Sequence, residues 1–98
     1  STLFPYTTLF RSPYRTLAAW NSLGERLSLY ERELLPLTRE RSRAALAAYR
    51  AGSGELRSAL DAFEDEIERR IEYAELQNER GRAWAFLRYL TPAQAQHP

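Results

Sequence analysis

The chain has 98 residues, 14 basic (all Arg) and 13 acidic, with no cysteine. That length allows at most one domain, the missing thiols exclude disulfides, thiolate metal sites and redox motifs, and the near balance of charge argues against a simple polyanion binder. No run approaches the roughly 18 apolar residues of a membrane-spanning helix.

Residues 2–12, TLFPYTTLFRS, match the in-frame translation of a sequencing adapter residue for residue. Residues 1–12 are therefore expected to be foreign to the fold. The alternative is a short amphipathic strand built on Leu3, Phe4, Tyr6, Leu9 and Phe10, against which Pro5 counts. Setting the segment aside removes Arg11 and leaves 13 Arg against 13 acidic residues, so the remainder is neutral. With the first residues foreign, the lack of a signal peptide carries no information about location.

A first helix is predicted over residues 16–51. Trp20, Leu27 and Leu34 recur every seven residues, with Leu23, Tyr30 and Leu37 as a companion row, which is the seam of a coiled coil. From Ala44 to Ala51 the seam becomes mostly Ala, letting a partner helix come close. Pro36 lies inside the run. It lacks a backbone donor and clashes with the carbonyl four residues back, so the helix is expected to kink near residues 32–36 or to break in two there.

Gly52-Ser53-Gly54 is the only Gly-x-Gly in the chain. Gly52 can take the left-handed conformation that ends a helix. Ser53 suits the N-cap of the next helix, and Glu55 suits its first turn. A helix that stops and restarts within three residues turns back as an αα-hairpin. The predicted fold class is therefore all-α, a long antiparallel hairpin with coiled-coil character.

The second helix is predicted over residues 55–90. Leu60, Phe63, Ile67, Ile71 and Ala74 form one apolar stripe, assigned to the seam with helix one. Tyr73, Leu76, Ala83, Leu87 and Leu90 form an offset stripe that implies a further neighbour. Gly81 weakens this helix by about 1 kcal/mol relative to Ala. Thr91-Pro92 is expected to end it, leaving residues 93–98 as a loose tail. At about 1.5 Å per residue each helix would be roughly 50 Å long.

A hairpin centred on Ser53 pairs residues whose numbers sum to about 106. That sets Leu34 near Ile71, Tyr30 near Leu76, and Trp20 near Trp84 to Phe86. It also brings Arg39, Arg41 and Arg43 towards Asp61, Glu64, Asp65 and Glu68, an arrangement that suits both helix dipoles, although exposed ion pairs contribute only about 0–1 kcal/mol each.

Catalytic and metal chemistry find no footing. His97 is the single histidine and has no partner at ligand spacing. The cluster Asp61, Glu64, Asp65, Glu66 and Glu68 lacks the loop and carbonyl ligands of a calcium site. No Gly-rich phosphate loop follows a strand. No enzyme activity and no cofactor are expected.

Tyr49-Arg-Ala-Gly52, then Leu56, then Leu60-Asp61-Ala62, resembles the second helical-hairpin tip of TolC-like outer membrane efflux proteins. Leu34-Leu35-Pro36-Leu37 upstream and Ala83-Trp84-Ala85-Phe86-Leu87-Arg88-Tyr89-Leu90 downstream are similar to the heavy-metal efflux branch. The resemblance spans about residues 14–92. It implies a fragment of a channel subunit that trimerises into a periplasmic α-barrel below an outer membrane β-barrel, with the membrane strands elsewhere in the parent. By that resemblance Gly52, Ser53 and Gly54 form the tip where a periplasmic adaptor protein docks, below an inner-membrane pump. Tyr49 and Asp61 match tip positions that take part in closing the entrance, although Tyr49 can equally pack on Leu56 or Leu60. Gly54 and Ser58 stand where some members carry Arg and Asp. The alternative reading is a soluble helical-hairpin interaction module that dimerises into a four-helix bundle. A nucleic-acid hairpin would want an uninterrupted Arg stripe, whereas acids interleave here.

Overall fold

The computed structural model describes residues 12–95. The expectations for residues 1–11 and for His97 lie outside the described residues.

The described chain is helical in three stretches: α1 Pro13–Leu29, α2 Leu35–Arg50 and α3 Leu56–Ala95, with a π turn Tyr30–Leu34 joining the first two. No strand occurs among the described residues, in keeping with the all-α class. Helix α1 starts earlier than expected, because Ser12 caps it. The Ser12 carbonyl accepts the Thr16 N–H at 2.9 Å and its Oγ accepts the Arg15 N–H at 3.4 Å, with Pro13 in the first turn, where a missing donor costs nothing. Ser12 thus takes part in the fold although the sequence groups it with the adapter-like segment.

Among the described residues two compact units are present, residues 27–75 and residues 12–26 with 76–95. Residues 27–75 form an antiparallel helical hairpin. Tyr30 donates to Glu72 Oε1 at 2.7 Å and Tyr73 donates to Glu31 Oε1 at 2.5 Å, while the two tyrosine rings meet at 6.4 Å between centroids. These pairs sum to 102 and 104, not 106. Two features lower the sum: α2 ends at Arg50, and the π turn adds a residue to the first arm.

Pro36 does not break the helix. Leu29, Leu34 and Leu35 all keep right-handed helical φ and ψ, and the Leu35 N–H reaches the Tyr30 carbonyl five residues back. The turn widens where proline cannot serve the Arg32 carbonyl. One residue is thereby inserted into the heptad. Leu27 before the π turn and Tyr30 and Leu34 at its two ends are buried or half-buried, as are Thr38, Ser42, Ala45 and Ala48 after it, while Leu37 is exposed. The expected Leu23–Tyr30–Leu37 row fails at its last member for this reason.

The α3 side of the hairpin departs further from expectation. Its covered positions are Ala59, Ala62, Asp65, Glu66, Arg69, Glu72 and Tyr73, which lie along one side of the helix. The residues assigned to the seam, Phe63, Ile67 and Ile71, are 54%, 42% and 52% exposed. Ala59 and Ala62 face a helix that is itself Ala-rich at Ala45 and Ala48, so small side chains fill the contact and the large apolar ones are left outside.

In the other unit, Thr16, Leu23, Leu76 and Ala83 are buried. Leu76 and Ala83 thus belong to a filled interior, whereas their stripe was expected to await a further neighbour. Arg80 covers Trp20: its guanidinium lies 3.8 Å from the Trp20 ring centroid and its Nε donates to the Trp20 carbonyl at 3.0 Å. Gly24 makes this possible, since a Cβ there would come within 2.5 Å of Arg80 Nη2. Helix α3 continues through Gly81 and through Thr91-Pro92 to Ala95. Proline at 92 removes the donor for one carbonyl, that of Arg88, and the ladder loses one bond without ending.

Candidate docking surfaces

The tip is built by the end of α2. Gly52 has φ +80° and is the only described residue in the left-handed region. Its N–H bonds the Tyr49 carbonyl at 3.0 Å, and the Ser53 N–H bonds the Ala48 carbonyl at 2.9 Å. This pair of bonds is a Schellman closure. The Ser53 hydroxyl also donates to the Ala48 carbonyl, at 3.2 Å. Ser53 therefore closes α2 and does not cap α3. The first bond of α3 instead runs from the Ala59 N–H to the Glu55 carbonyl.

The two glycines differ. Gly52 is exposed and a Cβ there would meet nothing within 4 Å. Gly54 is half-buried, and a Cβ would lie 2.9 Å from Ala48 Cβ and 3.2 Å from its carbonyl carbon. The second glycine is thus required by the reversal itself, and the idea that it exists to admit a partner loses its basis. Tyr49 is 43% exposed. Asp61 is held by Arg57 at 3.4 Å on its own helix, and the two expected entrance residues are not joined to each other.

The ion pairs also differ from the expected cross-helix match. The pairs Arg57–Asp61, Arg69 with Asp65, Glu68 and Glu72, and Arg70–Glu66 all run along α3. Arg69 sits in the seam, where its Nε has no hydrogen-bond partner. Arg39, Arg41 and Arg43 join none of these pairs.

A second surface stands out that the sequence reading assigned to the interior. An open groove of about 660 Å³ is lined by Leu35, Pro36, Arg39 and Arg43 from the first arm and by Arg70 and Tyr73 from α3. From Arg70 towards the tip, steps of three and four lead to Ile67, Phe63, Leu60 and Leu56. From Arg43 the same steps lead to Leu46 and Arg50. Leu46, Leu56, Leu60, Phe63 and Ile67 are all 41% exposed or more. One face of the hairpin thus carries an exposed apolar row between mixed charged borders, with Arg39, Glu40 and Arg43 on α2 and Arg57, Asp61 and Glu64 on α3. Helical spacing had revealed the apolar row. What it could not reveal was which of the two stripes on α3 would face the hairpin's own partner.

No group of His, Cys, Asp and Glu fit to hold a metal ion occurs among the described residues, and no helix among them is long and apolar enough to cross a membrane. No family model, curated protein or solved structure matches the chain.

Proposed function

We propose that this chain is part of the periplasmic wall of a TolC-like outer membrane efflux channel, a structural transport element without catalytic chemistry. The observation that carries this reading is the uncovered apolar row Leu56, Leu60, Phe63 and Ile67 on a hairpin whose own seam is already occupied. A lone two-helix unit has nothing to place on that row. A wall of hairpins standing side by side covers it with the next hairpin, and a homotrimer of channel subunits supplies such neighbours. The sequence blocks around Tyr49-Arg-Ala-Gly52, Leu34 to Leu37 and Ala83 to Leu90 support the same family.

In this reading Gly52 and Ser53 are the part of the tip offered to a periplasmic adaptor, since both are exposed and thin, while Gly54 serves the turn. The test places a photo-crosslinking residue at Ser53 in the full-length subunit, in cells that also carry the adaptor and pump. Crosslinking to the adaptor with normal trimer assembly is the expected outcome. A correctly assembled outer membrane protein whose Ser53 position never reaches the adaptor would sink the tip assignment, and a parent that never reaches the outer membrane would sink the channel reading.

The competing reading, a soluble hairpin that dimerises into a four-helix bundle, would cover the same exposed apolar row. It predicts a parent without membrane strands.

A further inference from the structure

We infer that the unit formed by residues 12–26 and 76–95 docks on an anionic lipid surface, seating a collar of aromatic and arginine side chains at the level of the headgroups. The inference goes beyond the channel reading and does not depend on it. Its grounds are exposure, height and charge where α1 begins and α3 finishes.

The balance of the whole chain conceals a division of charge. Residues 12–26 and 76–95 hold five arginines against Glu25 and Glu79, whereas residues 27–75 hold eight against eleven acidic residues. Residues 12–24 and 80–95 hold no acidic side chain at all. A charge asymmetry of this kind between parts of one chain marks attraction to a polyanionic surface, and arginines close to an anionic membrane each add to that attraction.

The acid-free stretches also carry exposed aromatic side chains. Tyr14 is 86% exposed, Tyr89 80% and Trp84 49%. Arg15 and Arg88 are exposed among them, and the Arg88 guanidinium lies 5.2 Å from the Trp84 ring centroid. Heights follow from the Trp20–Arg80 contact, where the two helices stand level. At about 1.5 Å per residue, Trp84 lies about 6 Å beyond that contact, Tyr14 about 9 Å, Arg88 about 12 Å and Tyr89 about 14 Å. The collar is thus a band about 8 Å tall, comparable to the roughly 5–10 Å to which interfacial helices sink.

Direction around the helix selects the occupant. Trp84 and Tyr89 are five residues apart, about 140° around α3. They flank the direction opposite the buried Ala83, and Tyr14 stands on the other helix. A protein partner covers one face, whereas a lipid surface closes around an end from every side. Trp and Tyr settle at the boundary between membrane and water, because each joins an apolar ring to a polar edge. Arginine lays its apolar stem along such a surface and keeps its guanidinium at the phosphates.

The test adds vesicles to the 98-residue chain and follows helicity by circular dichroism. Co-sedimentation with vesicles of phosphatidylcholine mixed with phosphatidylglycerol is expected, with at least tenfold weaker binding to phosphatidylcholine alone. In the Trp20→Phe variant Trp84 is the sole tryptophan, and its emission should shift to the blue and be quenched by lipids brominated on their acyl chains. Arg15→Gln with Arg88→Gln should weaken binding roughly tenfold or more, the loss of two charges near an anionic surface. Tyr89→Ser should weaken it severalfold at unchanged helicity. Phe63→Ser, in the exposed row of residues 27–75, should leave binding unchanged, as should Phe4→Ser with Phe10→Ser in the adapter-like segment. Failure to co-sediment, equal binding to phosphatidylcholine alone, or an unquenched Trp84 each overturns the proposal. So does a loss through Phe63→Ser, or through Phe4→Ser with Phe10→Ser, as large as that through Tyr89→Ser. A single-stranded oligonucleotide that shifts Trp84 as strongly as the vesicles would assign the surface to a soluble polyanion and overturn it as well.

Discussion

Gly52 and Gly54 are two residues apart in the sequence and are held there by different physics. Gly52 is a matter of backbone: φ +80° in open surroundings. Any L side chain there costs about 1 kcal/mol through its own conformation, with no neighbour disturbed. Gly54 is a matter of space, with Ala48 Cβ 2.9 Å from the position of a new Cβ and backbone just beyond. Gly52→Ala should therefore lower stability by about 1 kcal/mol. Gly54→Ala should cost about 1–3 kcal/mol, the range for overpacking, because backbone must move. Thermal unfolding followed by circular dichroism measures both. If Gly54→Ala also carries Ala48→Gly, part of its loss should return, since the nearest of the clashing atoms is gone. Gly52→Ala with Ala48→Gly should show no such recovery. The same scale holds Gly24, where the obstructing atoms are the end of the flexible Arg80 side chain. Gly24→Ala should thus displace the guanidinium from the Trp20 ring and change Trp20 fluorescence, with a stability loss of about 1 kcal/mol or less, since a flexible side chain yields where backbone would not.

At the scale of the element, the π turn decides which residues of α2 face inwards. Its extra residue makes Thr38 buried and Leu37 exposed, and everything from there to the tip follows that phase. Deleting Glu33, an exposed residue of the turn, together with Pro36→Ala, should let the turn relax to an ordinary α turn while Thr38, Ala45 and Ala48 keep their inward phase. The expected cost is small, within about 0.5 kcal/mol as for a surface change. Deleting Arg41 instead would rotate the remaining α2 residues by about 100° and expose Ala45 and Ala48, so the hairpin should lose cooperative unfolding. Equal damage from the two deletions would show that the π turn does not set the phase.

The same element shows what the sequence made legible and what it hid. The reversal at Gly52 was readable because glycine has a specific backbone reason to be there, and the helix pair was readable from its period. The π turn was only half readable: Pro36 announced a defect near 32–36, but a kink, a break and a widened turn all satisfy a missing donor. The inner face of α3 was not readable. Apolar periodicity reports that a row will be covered without saying by what, and Phe63, Ile67 and Ile71 form a better apolar row than Ala59, Ala62, Glu66 and Arg69. The clue lay in Ala45 and Ala48 on the other arm, since a thin face selects a thin partner and gives Ala59 and Ala62 the inner place. Arg69 and Glu66 in a seam run against the expectation that charges face water. They fit because Glu66 is taken by Arg70 and Arg69 by three carboxylates of its own helix.

At the scale of the whole molecule, stability should depend on concentration. The large apolar side chains Leu60, Phe63 and Ile67 stand half in water, while the hairpin's own contact is made largely of Ala, Tyr and charged groups. Burying a large apolar side chain fully contributes about 1.5–3 kcal/mol, so covering the exposed half of these three adds about half of that for each. A chain whose best apolar surface lies outside its fold gains most when a neighbour arrives, and folding becomes coupled to assembly. Raising protein concentration tenfold at fixed buffer should then raise the thermal midpoint by several degrees, since a tenfold change in free partner corresponds to about 1.4 kcal/mol and about 1 kcal/mol moves a domain of this size by about 4–8 °C. Ile67→Gln should flatten that dependence and lower the midpoint less at the lowest concentration than at the highest, because Ile67 is 42% exposed and its uncovered part awaits the neighbour. A midpoint independent of concentration in the unsubstituted chain, or an Ile67→Gln loss equally large at every concentration, would place that row inside the monomer's own energetics and remove the need for a neighbour.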